Sequence, residues 1–317
     1  MNPLHTAIKL ANTVGSANRL SILIYHEVPL SNDPMRPDTP DADTFRWQMR
    51  LLRQHFRPLA LHEAVRRLQD GDLPPRSVCV TFDDGYRNNL EVATPILREF
   101  DIPATIFIAT AFSDGRNMWN DRIIDLAGDP FLTRINLECL GLPPRDLASQ
   151  QDRLGLVSEL LPALKYRDYR EREALVDALY RENSAEEAAP RMMSHQELIQ
   201  LSRSGVTLGA HTVDHPILKA LAPAEQRRQI ESSKHALENL TGKAVTSFAY
   251  PNGKPGKDYD EVAMQMAQEA GFTEAVSTNW GISTPTTNRF QLNRFTPWDK
   301  NPLRFHLRLL RTVVGAT

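Results

Sequence analysis

The stretch VCVTFDDGYRNN, Val78 to Asn89, places two adjacent acids, Asp83 and Asp84, straight after a run that reads as a buried strand. Like charges this close raise one another's pKa unless a cation or an arginine separates their roles. Asp-Asp-Gly is also a common turn composition, so the pair alone is equally compatible with two solvated acids. The rest of the chain has to decide.

Outward from this stretch, short apolar runs recur at Ser21–Tyr25, Ala104–Ala109, Val206–Ala210 and Ser247–Tyr250, with weaker ones at Glu274–Ser277 and Phe290–Phe295. Helical patterns lie between them, at Thr44–Gln54, Leu61–Gln69, Asn89–Glu99, His195–Ser202, Pro223–Leu240 and Asp260–Ala270. Ser194 ahead of Glu197 has the form of a capping box. Strands alternating with helices imply parallel βα units, and about seven of them suit an α/β distorted (β/α) barrel with its chemistry at the C-terminal strand ends. The 317 residues fit one such catalytic domain, with its core at about 20–300. Residues 113–190 break the rhythm: the segment is helical and charged, has no convincing strand, and reads as an insertion.

Composition narrows the function classes. With 41% apolar and 24% charged residues the chain is an ordinary globular protein, and a net charge of -2 argues against a nucleic-acid binder. Two cysteines, Cys79 and Cys139, make neither a disulfide framework nor a zinc cluster. The N-terminus lacks a signal-type apolar stretch, and no window approaches the roughly 18 to 20 apolar residues of a membrane span, which points to a cytoplasmic protein. The basic, amphipathic run PLRFHLRLLRTVVG, Pro302–Gly315, suits a helix closing the barrel, or a peripheral contact at the inner membrane surface.

A second stretch, GVTLGAHTVDHPIL (Gly205 to Leu218), again ends an apolar run in polar residues, His211 and His215. Two histidines four apart are a common way to build half a metal site; the alternative is one histidine at a strand end and another on a loop. Together with the acids at another strand end the pattern is stronger. Asp84, His211 and His215 would hold one divalent metal, zinc first and iron, cobalt, nickel or manganese as alternatives. Asp83 is then free to act as a general base on the attacking water.

These residues resemble the polysaccharide deacetylase family, the NodB-homology carbohydrate esterases. Thr81-Phe82-Asp83-Asp84-Gly85 matches its TFDDG motif, and His211-Thr212-Val213-Asp214-His215 its H-[ST]-x-x-H motif. The segment Tyr25-His26-Glu27-Val28 is similar to the YHxV segment of a branch that includes exopolysaccharide deacetylases. The resemblance implies metal-dependent removal of N-acetyl groups from a sugar, oligosaccharide or polysaccharide. It makes Asp83 the base, Asp84, His211 and His215 the ligands, and the Asn252 backbone part of an oxyanion hole. Two positions depart from the family: Ala249 stands where an arginine would hold the base, and Arg294 where a histidine would act as general acid. Arg294 is therefore expected to pair with Asp83 in place of the missing arginine, and His26 to serve as proton donor. Tyr86 and Trp280 are candidates for packing on a sugar or acetyl group, Leu292 for lining the acetyl pocket, and Trp119 for a sugar platform or a core anchor. Asp121 has no partner legible in the sequence. Alternative functions are deacylation or deformylation of a lipid- or nucleotide-linked sugar, and carbohydrate binding without turnover.

Overall fold

The computed structural model describes residues 17–314, with side chains through Arg311. The N-terminal stretch read as lacking a signal-type apolar run lies largely outside the described residues. In chain order the strands are β1 (Leu20–Tyr25), β2 (Arg57–Pro58), β3 (Ser77–Phe82), β4 (Ala104–Ile108), β5 (Arg134–Ile135), β6 (Arg145–Asp146), β7 (Thr207–Ala210), β8 (Ser247–Ala249), β9 (Glu274–Trp280) and β10 (Leu292–Arg294). Seven of these pair in parallel in the order β1–β3–β4–β7–β8–β9–β10, and β2 adds to the start of β3. The ring closes where Phe295 meets β1. Its N–H donates to the Ile22 carbonyl at 2.7 Å, and the Ile24 N–H donates to the Phe295 carbonyl at 3.0 Å. The result is the expected distorted seven-stranded barrel.

Because the strands are covered by helices, β1 and β3 are buried along their whole length and carry near-continuous apolar sequence. Alternation still sorts their side chains. Ile22, Cys79, Phe107, Ala249, Val276 and Leu292 fill the barrel interior. Leu23, Val78, Val80, Phe82, Ile106 and Phe248 face out into the shell under the helices. Gly209 on β7 is required by this interior, since a Cβ there would lie 2.4 Å from the Phe107 ring.

The helices begin and end where local chemistry dictates. Asp41 caps Ala42–His55 by accepting the Thr44 N–H. Leu61–Asp70 buries Leu61, Ala64, Val65 and Leu68 at helical spacing and stops at Gly71 in the left-handed conformation. The capping box of Ser194 and Glu197 forms. The expected helix Asn89–Glu99 begins instead with a π-helical turn, Asn89–Ala93, before the α-helix Thr94–Glu99. The C-terminal helix Pro302–Val314 buries Phe305 and Leu309 against Ala42–His55, each worth roughly 2–3 kcal/mol of apolar burial. None of the described helices is long and apolar enough to cross a membrane.

Residues 113–190 contain the helices Trp119–Gly128, Gln150–Lys165 and Tyr169–Glu182 around their own apolar cluster of Ile123, Leu126, Leu156, Leu160 and Val176. They also contain a small antiparallel pair, β5 with β6. Strands of two residues carry no readable periodicity, so the sequence gives no sign of them.

Candidate active site and metal centre

The alternation that fills the barrel also builds the site. Residues 79, 81 and 83 share the inward face of β3 and its extension, 209 and 211 that of β7, and 292 and 294 that of β10. At each C-terminal end the inward position changes from apolar to polar. Asp83, His211 and Arg294 therefore converge at one mouth of the barrel, all within 2% of complete burial.

Arg294 grips Asp83 with two bonds, Nη1 to Oδ1 and Nη2 to Oδ2, both 2.7 Å, while its Nε donates to the Ser277 carbonyl at 2.7 Å. Burial alone would raise the Asp83 carboxyl; the guanidinium, aided by His211, outweighs it and holds the group below its ordinary value. The expected pairing of Arg294 with Asp83 is present, made from the last strand of the sheet order.

Asp84 Oδ1 lies 3.5 Å from His211 Nε2 and 3.5 Å from His215 Nε2, and this buried oxygen has no hydrogen-bond partner. One donor atom from each of these residues falls within 4.8 Å of the others. His211 Nδ1 is 2.7 Å from the Ala249 carbonyl, which can only accept, so Nδ1 carries the proton and the Nε2 lone pair points at Asp84. Ala249 therefore keeps a role through its backbone. Burial presses both imidazoles toward neutrality and takes His215 down to about 3, whereas Asp83 and Asp84 override burial at His211. A buried, unpartnered carboxylate oxygen facing two imidazole nitrogens fits a divalent cation of the zinc type.

The backbone is strained around this point. Asp84, Thr212, His215 and Asn252 all have positive φ, between 51° and 75°. For side chains other than glycine this costs on the order of 1–3 kcal/mol each and is held only by surrounding structure. The Ala109 N–H donates to the Asp84 carbonyl and the Thr110 N–H to that of Thr212.

The site opens into a cavity of about 640 Å³ lined by His26, Asp83, Asp84, Tyr86, Trp119, Asn252 and Trp298, among others. His26 is exposed just past the end of β1. Within the described residues the Asn252 N–H has no hydrogen-bond partner, while its carbonyl accepts from Thr278 Oγ1 at 2.5 Å. Tyr86 is buried in the wall, its hydroxyl donating to Asp121 at 2.8 Å, so it presents an edge of the cavity and no open platform. Trp119 belongs to the apolar cluster of residues 113–190 and shows the cavity only a margin.

Two expected contacts are corrected. Leu292 is 1% exposed and packs in the barrel interior with Ile22 and Val276, two residues below Arg294 on the same face and beneath the cavity floor. Trp280 overshoots the rim: half exposed, it leans on Phe295 at 6.2 Å and does not line the cavity. Thr278, Thr296 and Trp298 take the wall instead. Thr278 sits two residues past inward-facing Val276, so strand parity alone could have found it. Trp298 lies beyond the last strand and carries no such signal.

Asp121 also acquires partners. Arg36 bridges it at 2.9 Å to Glu27 at 3.1 Å, Asp33 at 2.9 Å and Asp125 at 3.1 Å. Burial, and then Asp121, push the Glu27 carboxyl up to about 7 against the pull of Arg36. This network ties the segment after β1 to the helix Trp119–Gly128.

The seven-stranded parallel barrel thus gathers this polar cluster at its C-terminal mouth. The model of one family, polysaccharide deacetylase, matches residues 70–131 and 154–275, more than half of the chain; the protein belongs to that family. YxkH of Bacillus subtilis, assigned to the polysaccharide deacetylases, is 22% identical over 87% of this chain and 70% of its own length. The poly-β-1,6-N-acetyl-D-glucosamine N-deacetylase of Staphylococcus aureus is 33% identical over 34% of this chain, a stretch that spans 37% of that enzyme. Among solved structures, the Streptococcus pyogenes deacetylase PplD, in complex with acetate, superposes with a TM-score of 0.61 over 93% of this chain and 98% of its own. At 20% identity that likeness is one of fold.

Proposed function

We propose that this chain is a metal-dependent N-deacetylase of a glycan, with 113–190 as an insertion in one catalytic unit. The observation that carries the reading is the division of labour between adjacent acids. Asp83 is held ionised by Arg294, and Asp84 faces two imidazoles with an unpartnered oxygen.

A divalent cation held by Asp84, His211 and His215 would supply Lewis acidity, polarising the acetamido carbonyl and acidifying water. Asp83, its Oδ2 3.8 Å from His211 Nε2, takes the proton as water adds to the carbonyl carbon. The Asn252 N–H, without a partner of its own, donates to the oxygen that becomes negative. The carbon–nitrogen bond then breaks, the nitrogen leaves with a proton from His26 as the free amine, and the acyl group leaves as acetate. Arg294 cannot replace His26 as donor, because it is engaged in four hydrogen bonds and is permanently charged.

The test is metal content together with acetate release from N-acetylglucosamine oligomers. The expected result is about one metal per chain, activity abolished by a chelator and restored by zinc. Asp84→Asn keeps a side chain that tolerates positive φ but removes the anionic donor, so metal affinity should fall at least about a hundredfold. Metal bound without acetate release would direct the search to other acyl groups and to lipid- or nucleotide-linked sugars. Absence of metal from the wild type would sink the reading. For the proton donor, His26→Gln should retain metal and lose about 10²-fold or more in kcat; unchanged turnover removes His26 from the mechanism.

A further inference from the structure

One margin of the cavity is basic in a way the deacetylation chemistry does not use: Lys165 lines it, and Lys254, Lys257 and Arg172 stand outside the lining around it. Lys165 and Tyr166, at the end of the helix Gln150–Lys165, line it. The Lys165 ammonium lies 5.5 Å and that of Lys257 4.3 Å from the Tyr166 ring centre. Lys254 stands on the same loop as Lys257, two residues past Asn252, and its charge is felt at Lys165. Behind Trp119, Arg172 is 1% exposed with its guanidinium 4.5 Å from the indole. It makes one long bond, 3.4 Å, to the Lys165 carbonyl, and its Nε and Nη2 have no partner.

Among the described residues no carboxylate comes within 4.0 Å of any of these four cations. Buried or crowded cations are ordinarily paired, and side by side they repel. The acids of the cavity floor do not serve them, because Asp83 is held by Arg294 and Glu27 and Asp121 by Arg36. Asp258, one oxygen of which accepts the Lys254 N–H at 2.9 Å while the other is unpartnered, offsets part of the charge at Lys165, and Glu173 and Asp168 offset part of that at Arg172, all from beyond 4.0 Å.

We infer that this wall receives an anionic substituent, a carboxylate or a phosphate ester, on or next to the sugar that carries the acetamido group. The Tyr166 ring, 43% exposed, holds the two ammonium groups over it at the cavity margin, where an anion can approach both. The substrate is then an acidic glycan, and the lysines set specificity. The inference rests on the reading of this cavity as the glycan site, and its test is a binding measurement that does not require turnover.

Equilibrium binding at ~10 mM ionic strength, where screening is weak, is compared for four ligands. These are a tetrasaccharide alternating N-acetylglucosamine with glucuronate, the neutral N-acetylglucosamine tetrasaccharide, and N-acetylglucosamine 1-phosphate beside N-acetylglucosamine. The wild type should bind at least one acidic ligand about tenfold more tightly than its neutral counterpart. The preference should shrink toward physiological salt. It should collapse in the Lys165→Gln/Lys254→Gln/Lys257→Gln protein, whose folding is checked by circular dichroism, and inorganic phosphate should compete in the wild type. Preference for the glucuronate ligand identifies a carboxylate, and preference for the phosphate sugar alone identifies a phosphate. Equal binding of acidic and neutral ligands, or a preference that survives in the triple variant, overturns the inference. Preference without acetate release leaves it standing and removes the deacetylase reading; acetate release without preference does the reverse.

Discussion

The Asp83→Asn protein is expected to keep its metal and to lose about 10³-fold in kcat. Asparagine has the same shape but cannot take a proton from water, while the Asp84, His211 and His215 donors are untouched. The change also sets an amide NH2 against one of the two guanidinium nitrogens now 2.7 Å away, so the buried fork keeps at most one good acceptor. A stability loss of about 1–3 kcal/mol should accompany the loss of rate. Metal analysis and acetate release on the same preparation separate the possibilities. Loss of metal with activity would make Asp83 a ligand. Full activity would place the base elsewhere and end the proposed mechanism.

Arg294→Ala should have the largest structural effect of any single change at the site. Removing one member of a buried ion pair leaves the other charge unsolvated and typically costs about 3–5 kcal/mol. Its pH signature follows from Asp83. In the wild type the folded carboxyl lies below its ordinary 3.8, so its stabilising contribution is present above that pH and is lost as pH falls through the lower folded value. Without the guanidinium, burial is left as the dominant influence and the folded pKa moves above 3.8. The variant's carboxyl then favours folding only below the unfolded pKa, and that advantage is lost as pH rises through the new value. The stability gap between the two proteins should therefore widen from pH 4 to pH 7, and the acid limb of the variant's activity profile should move to higher pH. Denaturant titrations at the two pH values check the first expectation. A gap that does not change with pH would show that the pair does not control the ionisation of Asp83. Arg294→Lys, a single-point donor, should recover only part of the loss.

What could be read from local sequence was whatever depends on neighbouring residues. Alternating apolar runs separated by helical patterns announced the barrel, since each strand and helix carries its own periodicity. TFDDG and HTVDH stood out because the inward position of a strand turns polar where it leaves the barrel. Even the strained φ at Asp84 and Asn252 falls on residue types that tolerate it. The edges of elements blurred where hydrogen-bond geometry shifts without any change of pattern, as at the π-helical turn of Asn89–Ala93.

The sequence by itself determined the strand ends, the paired acids and the two histidines, because each is a local alternation of polarity. Tertiary structure alone decided which strand ends meet. Arg294 and Asp83 are 211 residues apart and were paired from the sequence only as an expectation. Closing the ring through Phe295 places the β10 arginine over the β3 acid. The same closure left Leu292 beneath the floor and carried Trp280 past the rim. It also set the Ala249 carbonyl behind His211 and brought Lys165 from a distant helix beside the lysines of the β8 loop. A strand's period of two assigns each residue a face of the sheet. Height within the barrel, and the residue opposite, depend on register and closure, which no single stretch of sequence contains.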